Sequence, residues 1–119
     1  SIYGLTTYYV PSGTTAVSLL SNASGSGQVY KIESLTAANT SASVVTATVS
    51  YYTAATTQGS APSGGTAYPI ASTVSVPANS SLVIIEKTNC VYLNENSCIS
   101  ITSGTANNLT FVISYEVLS

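Results

Sequence analysis

Apolar and polar side chains alternate with a period of two through most of this sequence, and no stretch sustains the three-to-four spacing of a helix. Alternation of that kind sets successive side chains on opposite faces of an extended strand, so the chain reads as all-β. The clearest strand runs from Leu109 to Val117. Leu109, Phe111, Ile113, Tyr115 and Val117 share one side, while Thr110, Ser114 and Glu116 share the other. Val112 interrupts the polar series, which implies partial cover of the second face. Val45, Ala47, Val49 and Tyr51 alternate with Thr46, Thr48 and Ser50 in the same way. Further strands are expected over Ile2 to Val10, Thr14 to Leu20, Val29 to Leu35, Ala67 to Val76 and Leu82 to Lys87. Val91 to Leu93 and Cys98 to Thr102 would form a last pair.

The segments between these strands carry turn chemistry. Pro11-Ser12-Gly13 divides the first two strands, Asn22 to Gly27 forms a flexible connection, and Pro77-Ala78-Asn79-Ser80 bends the chain before Leu82. Asn94-Glu95-Asn96-Ser97 reads as a hairpin loop, and the Gly/Ser/Pro stretch around residues 57–66 reads as an exposed loop. Short strands separated by such turns are the signature of a sandwich or barrel. The expected fold is a single antiparallel β-sandwich over residues 1–119, jelly-roll-like, because a chain of this length affords one core and neither half affords its own.

Composition then narrows the function. Charged residues make up 5% of the chain, against about 25% in an ordinary soluble domain. They are Lys31, Glu33, Glu86, Lys87, Glu95 and Glu116, and the sequence has no His, Asp, Arg, Trp or Met. Catalysis near neutral pH needs a titratable group poised near that pH, a cationic clamp, or a metal held by imidazole and carboxylate. None of these can be assembled from this inventory, so the reading is a non-enzymatic binding or structural module with no cofactor and no metal. Two lysines cannot neutralise a phosphate backbone, which argues against nucleic acid as a partner. A net charge of −2 gives little repulsion between copies, so a homo-oligomer, for instance a trimer, or a component of a larger assembly is expected.

No apolar run approaches the ~18 residues of a membrane span, and no basic region followed by an apolar stretch is visible at Ser1-Ile2-Tyr3-Gly4. A small first residue suits removal of an initiator Met in a cytosolic product, although a processed secreted chain would look the same. Four Asn-X-Ser/Thr sequons, beginning at Asn22, Asn39, Asn79 and Asn108, are what chance supplies in a chain this rich in Ser, Thr and Asn.

Several side chains invite chemical readings. Cys90 and Cys98 flank the expected hairpin loop as a disulfide or as free thiols, and the expected register, which sets Cys90 opposite Ser100 or Ile101, favours free thiols. Glu86 and Lys87 beside an apolar strand read as charges that discourage edge-to-edge aggregation rather than as an acid and a base. Lys31 and Glu33 share a face as a surface or boundary pair. Glu95 and Glu116 could be imagined as a glycosidase pair, but Glu95 lies on an expected exposed loop where no cleft would raise a pKa. Of the nine tyrosines, Tyr3, Tyr8, Tyr9, Tyr51, Tyr52 and Tyr68 are candidate contact residues. Adjacent rings in Tyr8-Tyr9 and Tyr51-Tyr52 point to opposite faces, so one of each pair can enter the core while the other meets a partner. Protein contact is favoured over stacking on a sugar, since Trp and Asp are lacking.

The run Val91 to Thr102, followed by Leu109-Thr110-Phe111-Val112-Ile113-Ser114-Tyr115-Glu116 and preceded by Ser75-Val76-Pro77-Ala78-Asn79-Ser80-Ser81-Leu82, resembles the C-terminal part of small virion proteins of tailed bacteriophages, including cyanophages. Here cysteines flank the loop, and Glu95 is its single acid between Asn94 and Asn96. The resemblance brings no catalytic residues. It implies a capsid decoration or cement protein that binds the major capsid protein or other virion proteins and assembles in the host cytoplasm. Contacts are expected along Ile2 to Val10 and at exposed tyrosines. The alternatives are a tail, collar or fibre component or a glycan- or receptor-binding module, and further a pilin-like or surface-layer subunit.

Overall fold

Residues 2–119 are described by a computed structural model and form nine strands in two antiparallel sheets. The strands are β1 (Ile2–Tyr9), β2 (Val17–Asn22), β3 (Val29–Asn39), β4 (Val45–Tyr52), β5 (Ala67–Val76), β6 (Ser81–Ile85), β7 (Val91–Leu93), β8 (Ser97–Ser103) and β9 (Leu109–Leu118). A short 3-10 turn, Lys87–Asn89, lies between β6 and β7. One sheet, called A here, runs β1-β9-β3-β6, and the other, sheet B, runs β2-β8-β4-β5.

β6 and β7 occupy successive stretches of one edge of β3: β6 lies against Leu35 to Ala38 and β7 against Tyr30 to Ile32. With these two counted as one interrupted strand, the pairings nest: β1 with β9, β2 with β8, β3 with β6/β7, and β4 with β5. The β3–β9 and β4–β8 ladders then roll the nested pairs into two packed layers. That is the topology of a jelly-roll β-sandwich.

The core follows the alternation. Leu109, Phe111, Ile113 and Val117 of β9 are buried while their neighbours are half-covered, and Val45, Ala47 and Val49 of β4 are buried from the opposite sheet. Phe111 is the bulkiest fully buried side chain. Two buried asparagines hold loops at opposite ends of the sandwich. Asn22 donates to the Gln28 and Leu93 carbonyls at 2.9 and 3.0 Å. Asn39 donates to the Ser43 and Val76 carbonyls at 2.7 and 3.0 Å. Both head sequons, but these side chains are spent on the fold.

Three expectations need correction. Val91–Leu93 and Ser97–Ser103 do not form a hairpin: β7 pairs with β3 in sheet A, and β8 pairs with β2 and β4 in sheet B. The turn between them, with Asn96 at φ +55, carries the chain from one layer to the other. The second strand lies later than Thr14 to Leu20, and β3 runs on past Leu35 to Asn39, where Ala37 faces the core. The connection from Thr53 to Thr66 is solvent-exposed along much of its length, yet it is not free. It forms a strap across sheet B. Thr56 N donates to Ser21 Oγ at 3.1 Å, Gly59 N to the Ser18 carbonyl at 2.9 Å, and Ser18 N to the Ser60 carbonyl at 2.9 Å. Ser18, Cys98, Ser100 and Ser50, which point away from the core, are buried beneath it.

Candidate functional site

A sheet edge is a row of unpaired backbone donors and acceptors, and folded chains ordinarily blunt it. This sandwich has four edges, and three are blunted by different means. The edge of β2 is taken by the strap through Ser18. β5 carries Pro69, a left-handed Thr73 (φ +46) and two register shifts against β4, features that twist an edge away from partners. The β6/β7 edge is broken at Glu86, Lys87 and the 3-10 turn, which places charge at the gap.

β1 has none of these. Its eight residues, Ile-Tyr-Gly-Leu-Thr-Thr-Tyr-Tyr, pair with β9 in unbroken register from Ile2–Leu118 to Tyr9–Phe111, and none is charged or proline. Ile2 and Tyr8 are each 69% exposed, and Tyr3, Leu5 and Val10 are exposed as well. Alternation explains half of this, since Ile2 and Tyr8 lie on the outer face of sheet A. Tyr3 and Leu5 point the other way and are still exposed. The strap reaches β1 only further along, where Gln58 Nε2 donates to Thr7 Oγ1 at 3.1 Å and lies 3.4 Å from the Tyr8 carbonyl oxygen.

The tyrosines divide accordingly. Tyr3, Tyr8 and Tyr68 present their rings to solvent. Tyr9 and Tyr51 are half-buried, and Tyr52 is buried. Tyr9 packs against the core and under Gly59, where a Cβ would stand 2.9 Å from the Tyr9 hydroxyl. Tyr51 also packs on the core, with its hydroxyl 3.1 Å from Ser97 Oγ and accepting from Asn94 N at 3.2 Å. Tyr52 points outward from sheet B but is covered by the strap and accepts from Gly65 N at 3.0 Å. The sequence reading missed Tyr92, which is exposed on β7, and Tyr30 and Tyr115, whose rings pack 5.1 Å apart. Burial, then Tyr30 and Tyr3, push the Tyr115 hydroxyl above its ordinary value.

Charge gathers on the outer face of sheet A. A bulge in β3 between Ile32 and Ser34 inserts Glu33, and Lys31 Nζ lies 3.7 Å from Glu33 Oε1. Lys31 also pairs across the sheet with Glu116, and its pKa is raised, chiefly by Glu33, against the opposing effect of burial. Glu33 Oε2 is buried without a hydrogen bond. Glu33, Glu116 and Lys87 line a shallow groove of about 680 Å³ together with Thr6, Ser34 and Ser114. Glu95 is not part of this groove and lies in the β7–β8 turn, so the groove holds one member only of the imagined glycosidase pair. Among the described residues no group of three or more His, Cys, Asp or Glu side chains could hold a metal ion.

Cys90 and Cys98 are free thiols. Cys90 precedes β7 and is partly exposed, whereas Cys98 lies in β8 under the strap. Burial raises the Cys98 pKa. The chain matches no protein-family model, no curated protein and no solved structure. Among the described residues no helix is long and apolar enough to cross a membrane.

Proposed function

We propose that this chain is a non-enzymatic structural subunit that works by assembling with other proteins, in the specific form of a decoration or cement protein on the capsid of a tailed phage. The observation that carries the assembly reading is the β1 edge: regular, uncharged, with exposed apolar side chains on both faces and uncovered from Ile2 to Thr6, on a sandwich whose other edges are all blunted. A strand can be added there by main-chain hydrogen bonds, with alternate side chains supplying the fit. The phage setting rests on the resemblance of the C-terminal segments. Weak contacts repeated over a shell add up to firm attachment, so a small subunit can brace a particle. Particles assembled without this chain are expected to lose their genome at lower temperature or under milder osmotic shock. Equal fragility would remove the cementing role.

The groove favours a second reading. Hydroxyls of Thr6, Ser34 and Ser114 beside Glu33 and Glu116 form a polar surface of the kind that binds a sugar, as a fibre or receptor-binding module would. Saturable binding to host glycans, weakened by Glu116→Gln, would support it over cementing.

A further inference from the structure

The β1 edge is not only open but able to pair with itself. We propose that two copies of this chain join through β1, antiparallel about a two-fold axis at Leu5, so that sheet A runs continuously from one subunit into the next. This rests on the assembly reading and adds its symmetry and register.

A two-fold axis perpendicular to a sheet keeps the outer face outward, so opposed residues must differ by an even number in sequence. Centred on Leu5, the register sets Ile2 opposite the second copy's Tyr8 at both ends of the outer face. These are the two most exposed apolar side chains of the strand. On the inner side Leu5 meets Leu5, and Tyr3 meets Thr7. Gly4 meets Thr6, and because Gly4 stands beside Glu116 without a side chain, the incoming Thr6 hydroxyl has room to approach that carboxylate.

The neighbouring registers fit less well. Centring on Gly4 would place the two Glu116 carboxylates in one row with only glycines between them. Centring on Thr6 would set Ile2 opposite Val10, beyond the end of the strand. The long 3.4 Å contact from Gln58 leaves the Tyr8 carbonyl free to accept a stronger bond. Self-pairing consumes the edge in both copies, so the assembly closes as a dimer and not as a trimer. A strand pair of this length buries less than the roughly 1,600 Å² of a standard interface, in the class of weak and transient associations.

Analytical ultracentrifugation from about 1 to 200 µM should show a reversible monomer–dimer equilibrium. Leu5→Lys should weaken it about tenfold or more by setting like charges opposite each other. Leu5 is exposed, so the variant should keep its circular dichroism spectrum and melting temperature. In a Cys90→Ser background, Leu5→Cys should form a disulfide dimer under oxidised glutathione. Tyr3→Cys and Thr7→Cys should cross-link with each other but not with themselves. A chain that stays monomeric to 200 µM, a dimer indifferent to Leu5→Lys, or Tyr3→Cys linking with itself would overturn the proposal. Particle binding by a monomer would overturn the two-fold and leave the assembly reading standing; a correct dimer absent from particles would do the reverse.

Discussion

β1 and β2 lie side by side at the same seam of the sandwich, one at the edge of sheet A and the other at the edge of sheet B, and the chain treats them in opposite ways. The connection from Thr53 to Thr66 crosses sheet B to reach the β2 edge, where Gly59 and Ser60 exchange backbone hydrogen bonds with Ser18. The same loop touches β1 through the side chain of Gln58 and stops at Thr7 and Tyr8. Covering an edge was therefore within reach of this sequence, and β1 was left bare from Ile2 to Thr6. Edges that solvent alone must tolerate carry lysine, proline or bulges. An apolar edge with none of them is suited to being covered by protein.

The strap side should be the more sensitive to mutation. Gly59→Val places a branched side chain at φ +86, where its Cβ meets the Tyr9 ring, and should cost about 2–4 kcal/mol in chemical denaturation. Loss below 1 kcal/mol would mean that the strap is not held as described. Gln58→Ala removes the donor to Leu19 O at 2.8 Å and to Thr7 Oγ1, and should cost about 1–2 kcal/mol. On β1 the expectation reverses. Tyr8→Ser should change the stability of the dilute monomer by no more than about 0.5 kcal/mol while abolishing assembly. A large destabilisation there would show that β1 serves the fold rather than a partner.

Thiol chemistry sharpens the contrast on the covered side. Cys90 should react with a thiol reagent in the native protein, and Cys98 only after unfolding, when both titrate. Two reactive thiols in the native state would mean that the strap opens readily.

The smallest effect is in pH. Lys31, Cys98 and Tyr115 all have folded pKa values above their ordinary ones. A raised value contributes stability that is complete below the unfolded pKa and is lost as pH climbs through the folded one. The melting temperature should therefore begin to fall as pH passes about 8.5, the thiol first. Cys98→Ala should delay that onset.

The layered β architecture was legible because alternation is a local signal: β4, β5 and β9 lie within a residue or so of where the sequence places them. Which strands become neighbours was not. Asn94-Glu95-Asn96-Ser97 announces a turn in either case, but whether the chain returns along the same sheet or crosses to the other depends on the partners of the flanking Leu93 and Cys98, Tyr30 and Tyr52, which are distant in sequence. The exposure of residues 57–66 was legible, but their attachment to β2 was not, for a similar reason. The hold on Ser18 is made by backbone groups of Gly59 and Ser60, which leave no trace in side-chain pattern. The bare edge was half legible. Tyr8-Tyr9 announced one outward and one inward ring, as observed, whereas Leu5 lies on the inward-facing series and is exposed all the same, which alternation does not foretell. Tyr52 shows the limit most plainly, since its outward direction follows from alternation and its burial follows from the strap.

The most direct test of the central claim is cryo-electron microscopy of the particle that carries this chain, at a resolution that separates strands. The account predicts density continuing sideways from β1 into another strand at about 4.8 Å spacing. A chain held on the particle by other surfaces, with the β1 edge facing solvent, would contradict it.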